Sequence, residues 1–437
     1  GLTLLVNPMF VNLSYTFMTD VPFVALCALA GAAYLRRLRT QRSRWLALGS
    51  TLVAVAFLVR QFALVMPIAV ALLLPISWKA DQFRKTANDW VCLGAPILLV
   101  GVLYRLLPLS GIGMGEDWDW SRLGDTLIDR AIEVSRHFAF AFAYTALFLL
   151  PFLAIVLAMA IAKVRRGDPG KLAGIVRAKG TRRAASVRLA MALFMAWLIK
   201  RDWPYRLPNF GNLLYDLGVG PLLLPGMLDG STIAAPARLG AVPWRVVTGV
   251  AVAFGSALAL LHASSLVRLL IRFRDRSHPA RISGHFLALW AFGMILALIL
   301  PPVLARFDRY FIMAQVPASI LAAQWLAARV ERPAVVGFVA AALVWLFALL
   351  CQQDYLAWNH ARSTAISTLQ REHDVPLEQI NAGYEANAWY HSDRFVEESR
   401  ATGRKVFGPL GWWTVGEVYR VSMRQGRHSE ATRDGHA

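Results

Sequence analysis

The stretch "NLSYTFMTDVPFVALCALAGAAYL", residues 12–35, sets one carboxylate, Asp20, directly ahead of a long apolar run and rings it with hydroxyls and an aromatic. Working outward, similar apolar runs recur along the chain. Each is close to the length of about 20 residues that carries a helix across about 30 Å of hydrocarbon. The chain has 437 residues, of which 57% are hydrophobic and 17% charged, less charge than a soluble domain of this size would carry. In lipid only helices and closed barrels satisfy every backbone group, and the alternating pattern of a barrel is absent. The reading is an all-α polytopic membrane protein with about ten or more transmembrane helices. Expected spans are 21–35, 45–59, 62–77, 90–107, 137–162, 186–199, 246–267, 284–304, 310–328 and 333–352. Residues 1–11 read as the tail of another helix, and 45–77 reads as two crossings or as one re-entrant hairpin.

A net charge of +19 would point to nucleic acid in a soluble protein. Here its distribution points elsewhere, because cytoplasmic loops collect Lys and Arg. Alternating sides from Asp20, one face gathers loops 36–44, 78–89, 163–185, 268–281 and 329–333, which are short and basic. The other holds loop 108–136, where acids outnumber bases, and the mixed-charge loop 200–245. The basic face is expected to be cytoplasmic, so Asp20, the large loops and the C-terminus face outside. Cys27, Cys92 and Cys351 lie in or beside apolar runs at no ligand spacing, and read as packing residues. The chain opens at Gly1 without a methionine or a signal-peptide pattern, so the first helices and first outer loop are expected upstream.

Three domains are expected: a transmembrane part, 1–353; a small soluble extracytoplasmic α/β appendage, 354–423; and a disordered polar tail, 424–437. In the appendage, "WNHARSTAISTLQREHDVPLEQINAGYEANAWY" reads as an amphipathic helix, a turn at Pro376 and a strand. "GWWTVGEVYRVSM" alternates like a half-buried strand.

Charged groups at the outer boundary are the candidates for chemistry. Asp20 reads either as a helix cap or as a functional acid, with Ser14, Tyr15, Thr16 and Thr19 beside it. "AVAFLVRQFALVMP" puts Arg60 and Gln61 between two apolar segments, where a guanidinium either forks onto a phosphate or carboxylate or snorkels to the interface. "ARFDRYFIMAQVP" adds Arg306, Asp308, Arg309 and Tyr310, readable also as a surface ion cluster with an aromatic anchor. Trp118 and Trp120 suit sugar stacking and interfacial anchoring equally.

"NPMFVNLSYTFMTDVPF", followed by "RRLR…RWLALGSTLVAVAFLVRQ" and later "FDRYF", resembles the multi-span GT-C glycosyltransferases. More narrowly it is similar to the bacterial branch of glycosyltransferase family 39, with the protein mannosyltransferases and the lipid A aminoarabinose transferase. The resemblance covers the first 80 residues best, with weaker echoes at 209–221, 306–317 and 381–390. It implies a sugar transferred from a polyprenyl-phosphate carrier to a lipid, polysaccharide or protein acceptor on the non-cytoplasmic face of a plasma membrane. The Ala-, Leu- and Arg-rich composition suggests a bacterial one. Asp20 matches the family's second outer acid, while the principal base is expected upstream of Gly1. Arg60 and Arg309, with Arg306 behind them, would bind the donor phosphate; Tyr15, Thr19, Gln61 and Tyr310 would line the substrate. Asp20 would orient the acceptor or bind a divalent cation, the one cofactor left open. The rival readings are a polytopic secondary transporter and a non-catalytic membrane scaffold; neither midplane charges nor two matching halves are evident in the sequence.

Overall fold

The computed structural model describes residues 2–15, 19–77, 83–106, 127–165, 181–200, 241–271, 279–299, 308–327, 334–382, 390, 397, 401, 419–423 and 429–433. Proline and local caps divide the helices. α1 (Leu2–Leu5) stops before Asn7, whose Oδ1 accepts the Met9 backbone N–H at 2.9 Å, and α2 runs Pro8–Ser14. Proline suits that first position because its missing N–H would have had no helical partner there. α3 (Asp20–Thr40) ends at Gln41, which takes a left-handed φ of 59° and returns its N–H to the Arg37 carbonyl at 2.8 Å. α4 (Ser43–Val59) ends at one extended residue, Arg60; a short 3-10 turn (Gln61–Leu64) then leads into α5 (Val65–Ser77). α6 (Phe83–Leu106), α7 (Leu127–Phe148), α8 (Leu150–Arg165), α9 (Thr181–Lys200), α10 (Ala241–Ile271) and α11 (Pro279–Ile299) follow. A 3-10 turn (Asp308–Phe311) precedes α12 (Ile312–Ala327), and α13 runs Ala334–Glu372.

The chain divides into two compact units: residues 1–213 with 240–348, and 214–239 with 349–437. In the first, α3 packs on α4, α4 on α6, α7 on α10, and α11 on α3, α5 and α12. Without an aqueous phase to drive helices together, close packing decides which faces meet. Gly255 of α10 lets two backbones approach: a Cβ there would sit 2.9 Å from the main chain of Phe142 and Ala143. Trp290, Tyr34 and Phe286 are fully buried between α3 and α11, the Tyr34 and Phe286 rings edge to face with centroids 5.9 Å apart. Leu98 and Leu99 on α6, and Val335, Phe338 and Leu343 on α13, are exposed instead. Large apolar side chains turned outward suit a hydrocarbon surround.

By length and hydropathy, four described helices suffice to cross a membrane: Asp20–Thr40, Thr86–Leu103, Ile282–Ile299 and Val335–Glu372. A bent pair, Ala131–Phe148 with Leu150–Met159, makes a fifth if it counts as one span. Ser43–Val59, Gln61–Pro75, Leu189–Leu198, Val246–Leu260 and Ile312–Ala327 are shorter apolar helices lying on other expected spans. The architecture is that of an all-α membrane protein, with fewer helices of full spanning length among the described residues than the ten or more expected.

Three expectations change. Segment 137–162 is not one helix, because it breaks at Leu149 ahead of Pro151 and bends by 73°. The span expected to stop at 352 continues as α13 to Glu372: "QQDYLAWNHARSTAISTLQRE" loses hydropathy but contains neither Gly nor Pro to end the helix. The tail 424–437, expected to be disordered, contains the strand β3 (Ser429–Arg433).

In the second unit, Asp374 takes a φ of 49°, a conformation Asp tolerates, and turns the chain so that the Val375 N–H bonds the Leu369 carbonyl at 3.0 Å. A 3-10 turn (Leu377–Gln379) leads to β1 (Ile380–Asn381), which pairs parallel with β2 (Tyr419–Met423). β2 pairs antiparallel with β3 in the register Tyr419↔Arg433 to Met423↔Ser429, so the outer edge of β2 supplies the ladder that orders part of the tail. Ile366, Leu369, Val375, Ile380 and Ala382 form the core of this unit, with Leu377, Tyr419 and Val421 packed against it.

Candidate functional site

Asp20 opens α3, with Thr19 at the cap position making no side-chain cap bond and Pro22 in the first turn. The Asp20 carboxylate is fully buried, and Arg60 Nη2 lies 2.9 Å from its Oδ1. Arg60 reaches it because the chain is extended for that single residue, at φ −153° and ψ 132°. The break leaves its backbone satisfied: its N–H bonds the Ala56 carbonyl at 2.8 Å and its carbonyl accepts the Ala63 N–H at 3.3 Å. On another side, the Arg60 guanidinium carbon stands 4.9 Å from the centre of the Tyr310 ring, and Phe62 leans on the same ring at 6.2 Å. The start of α3, the end of α4 and the 308–311 turn thus meet at one point. A buried charge is costly unless matched, and here the carboxylate and the aromatic face both favour the charged guanidinium. The Arg60 side chain keeps 15% of its surface exposed, and its Nε has no hydrogen-bond acceptor among the described residues.

Three expected site residues, Asp20, Arg60 and Tyr310, are brought together. Thr19 and Gln61 are exposed neighbours of Asp20 and Arg60 in the chain, and Tyr15 is 69% exposed. Arg309 belongs by its backbone to the 308–311 turn; its side chain, all of Arg306, and Trp118 and Trp120 lie outside what the structure describes. The divalent cation fits poorly. Hard cations collect several oxygen ligands, no group of three His, Cys, Asp or Glu side chains assembles among the described residues, and Asp20 already faces a guanidinium.

Two polar centres were not legible as such. Arg37 and Asp89 form an ion pair with neither side chain exposed, and Ser43 Oγ donates to Asp89 Oδ1 at 2.7 Å. Arg37 also donates to Gln41 Oε1 at 2.7 Å, fixing the left-handed turn between α3 and α4. Sequence reading counted Arg37 among loop charges and did not single out Asp89. The available signal was Asp89 standing just before an apolar run, the same pattern as Asp20. On α7, Glu133 Oε1 lies 3.0 Å from Arg136 Nη2 and 3.1 Å from His137 Nε2.

Residues 1–105 match the family model described as dolichyl-phosphate-mannose-protein mannosyltransferase, which takes in Asp20, Arg60 and the Arg37–Asp89 pair but not Tyr310. No curated protein and no solved structure matches the chain. The match over the first 105 of 437 residues, with the apolar helical architecture around it, supports membership of the GT-C type of membrane glycosyltransferases.

Proposed function

We propose that the protein moves a sugar from a polyprenyl-phosphate-linked donor to a lipid, polysaccharide or protein acceptor on the extracytoplasmic face of a bacterial plasma membrane. The observation that carries this reading is the Asp20–Arg60–Tyr310 cluster, which puts a partly exposed guanidinium at the ends of apolar helices. The donor's isoprenoid chain needs hydrocarbon and its phosphate needs a cation at the boundary; this arrangement supplies both. During transfer the bond from the anomeric carbon to the phosphate oxygen breaks, and a bond from that carbon to the acceptor oxygen or nitrogen forms. The electron pair of the broken bond stays on the phosphate, while the acceptor proton passes to a base. A phosphodiester with one charge becomes a monoester carrying about −1.5 to −2. Arg60 therefore binds the leaving group more strongly than the donor, and that difference lowers the barrier. In this reading Arg309 and Arg306 reinforce it, and Tyr15, Thr19, Gln61 and Tyr310 line the substrate.

The experiment is sugar transfer from labelled polyprenyl-phosphate sugars by membranes carrying the full-length protein. Arg60→Ala is expected to abolish most transfer at unchanged protein level; full turnover in that variant would remove the proposed phosphate site.

A further inference from the structure

Asp20 is the residue whose chemistry the structure changes most. An acid that orients an acceptor must reach it, yet this carboxylate is fully buried and has a guanidinium at 2.9 Å. Arg60 differs in kind: it is gripped on one side by that carboxylate, backed by the Tyr310 ring at 4.9 Å, and still partly open. A guanidinium carries five N–H donors in a rigid plane, so one edge can be committed while another stays free. Arg60 also sits on a one-residue helix break, where the neighbouring turns do not dictate its side-chain direction. Something else must dictate it, and among the described residues the carboxylate and the ring are positioned to do so.

We propose that Asp20 is a positioning residue, whose buried carboxylate holds the Arg60 guanidinium over the Tyr310 ring so that another of its edges meets the phosphate of a polyprenyl phosphate. This rests on the phosphate-binding reading of Arg60 above. Asp20 then acts on the reaction only through Arg60, and its negative charge keeps the guanidinium in place when the site is empty. Binding of a phosphate leaves the Asp20 contact intact and adds a second anion at the opposite edge.

The test is direct binding of a polyprenyl monophosphate to the purified full-length protein, with the corresponding polyprenol, which lacks the phosphate, as the control ligand. Asp20→Asn and Arg60→Ala are each expected to weaken phosphate binding roughly tenfold or more, as loss of one partner of a buried charge pair does. Polyprenol binding should not change, a result that general loosening of the fold would not give. In the double variant the losses should not multiply, because Asp20 has no effect once Arg60 is gone. Asp20→Glu keeps the charge but lengthens the arm by one methylene, so it should melt close to the parent while binding the phosphate weakly. If Asp20→Asn binds normally while Arg60→Ala does not, positioning is refuted and the phosphate site stands. If neither variant loses affinity, the phosphate site itself is refuted. Multiplying losses would show that Asp20 acts independently. Should Asp20→Asn fail to fold, Asp20→Glu decides: parent-like phosphate affinity there would overturn the proposal.

Discussion

Arg37 on α3 and Asp89 on α6 are ion-paired with neither side chain exposed, at the opposite end of α3 from Asp20. Removing one ion of a buried pair strands the other, at about 3–5 kcal/mol. Asp89→Ala should therefore lower the thermal unfolding temperature in detergent sharply. Replacing both ions with apolar residues, Arg37→Met with Asp89→Leu, should recover most of the loss. A single variant that melts with the parent would show the pair to be idle.

The Tyr310 ring lies 4.9 Å from the Arg60 guanidinium carbon. A cation–π contact contributes about 0.5–2 kcal/mol. Tyr310→Leu should thus weaken polyprenyl-phosphate binding by roughly two- to thirtyfold. Tyr310→Phe should bind like the parent. Equal losses in both variants would assign the effect to the hydroxyl instead.

Gly255 and Gly249 share α10 but not an environment. A Cβ at 255 meets backbone 2.9 Å away, whereas one at 249 meets nothing within 4 Å. Backbone cannot swing aside as a side chain can, so Gly255→Ala should cost about 1–3 kcal/mol of stability. Gly249→Ala should be neutral or slightly stabilising, since alanine is the better helix former. The comparison is read from paired melting curves.

Accessibility labelling checks the sidedness read from the charges. Cys27 and Cys351 are buried, and replacing the half-buried Cys92 with serine keeps the background low. Tyr15→Cys and Arg39→Cys each place a thiol at an exposed position. An impermeant maleimide added to intact cells should label position 15 and leave position 39 untouched until the membrane is opened. The reverse pattern would invert the orientation.

Ile380 and Val375 belong to the core under the small sheet. Truncating either to alanine removes buried methyl groups at about 2–4 kcal/mol. Amide exchange at 419–423 and 429–433 should quicken. Unaltered protection there would mean that the strands do not depend on that core.

The apolar runs and their punctuation were readable where local chemistry decides the outcome. Asn7–Pro8, the turn at Pro376 and the strands at 380 and 419 all fall where turn residues and alternation put them. What sequence could not weigh was pairing across the chain. Arg37 and Asp89 look like ordinary loop charges until α3 and α6 are packed together. Asp20 looks like a cap until Arg60 is seen to arrive from a helix break. β3 looks like tail because its residues are polar, and only the open edge of β2 makes them a strand. Hydropathy measures length in a straight line, so it also missed the corner at Pro151.

That corner bears on how the whole polypeptide is threaded. Arg60 and Tyr310 touch, so both belong to one side of the bilayer, and the intervening chain must make an even number of passages. The described helices on that path are α5, α6, the α7–α8 pair, α9, α10 and α11. The 73° elbow enters that count as one passage or as none, according to whether it is a broken span or a dip that returns.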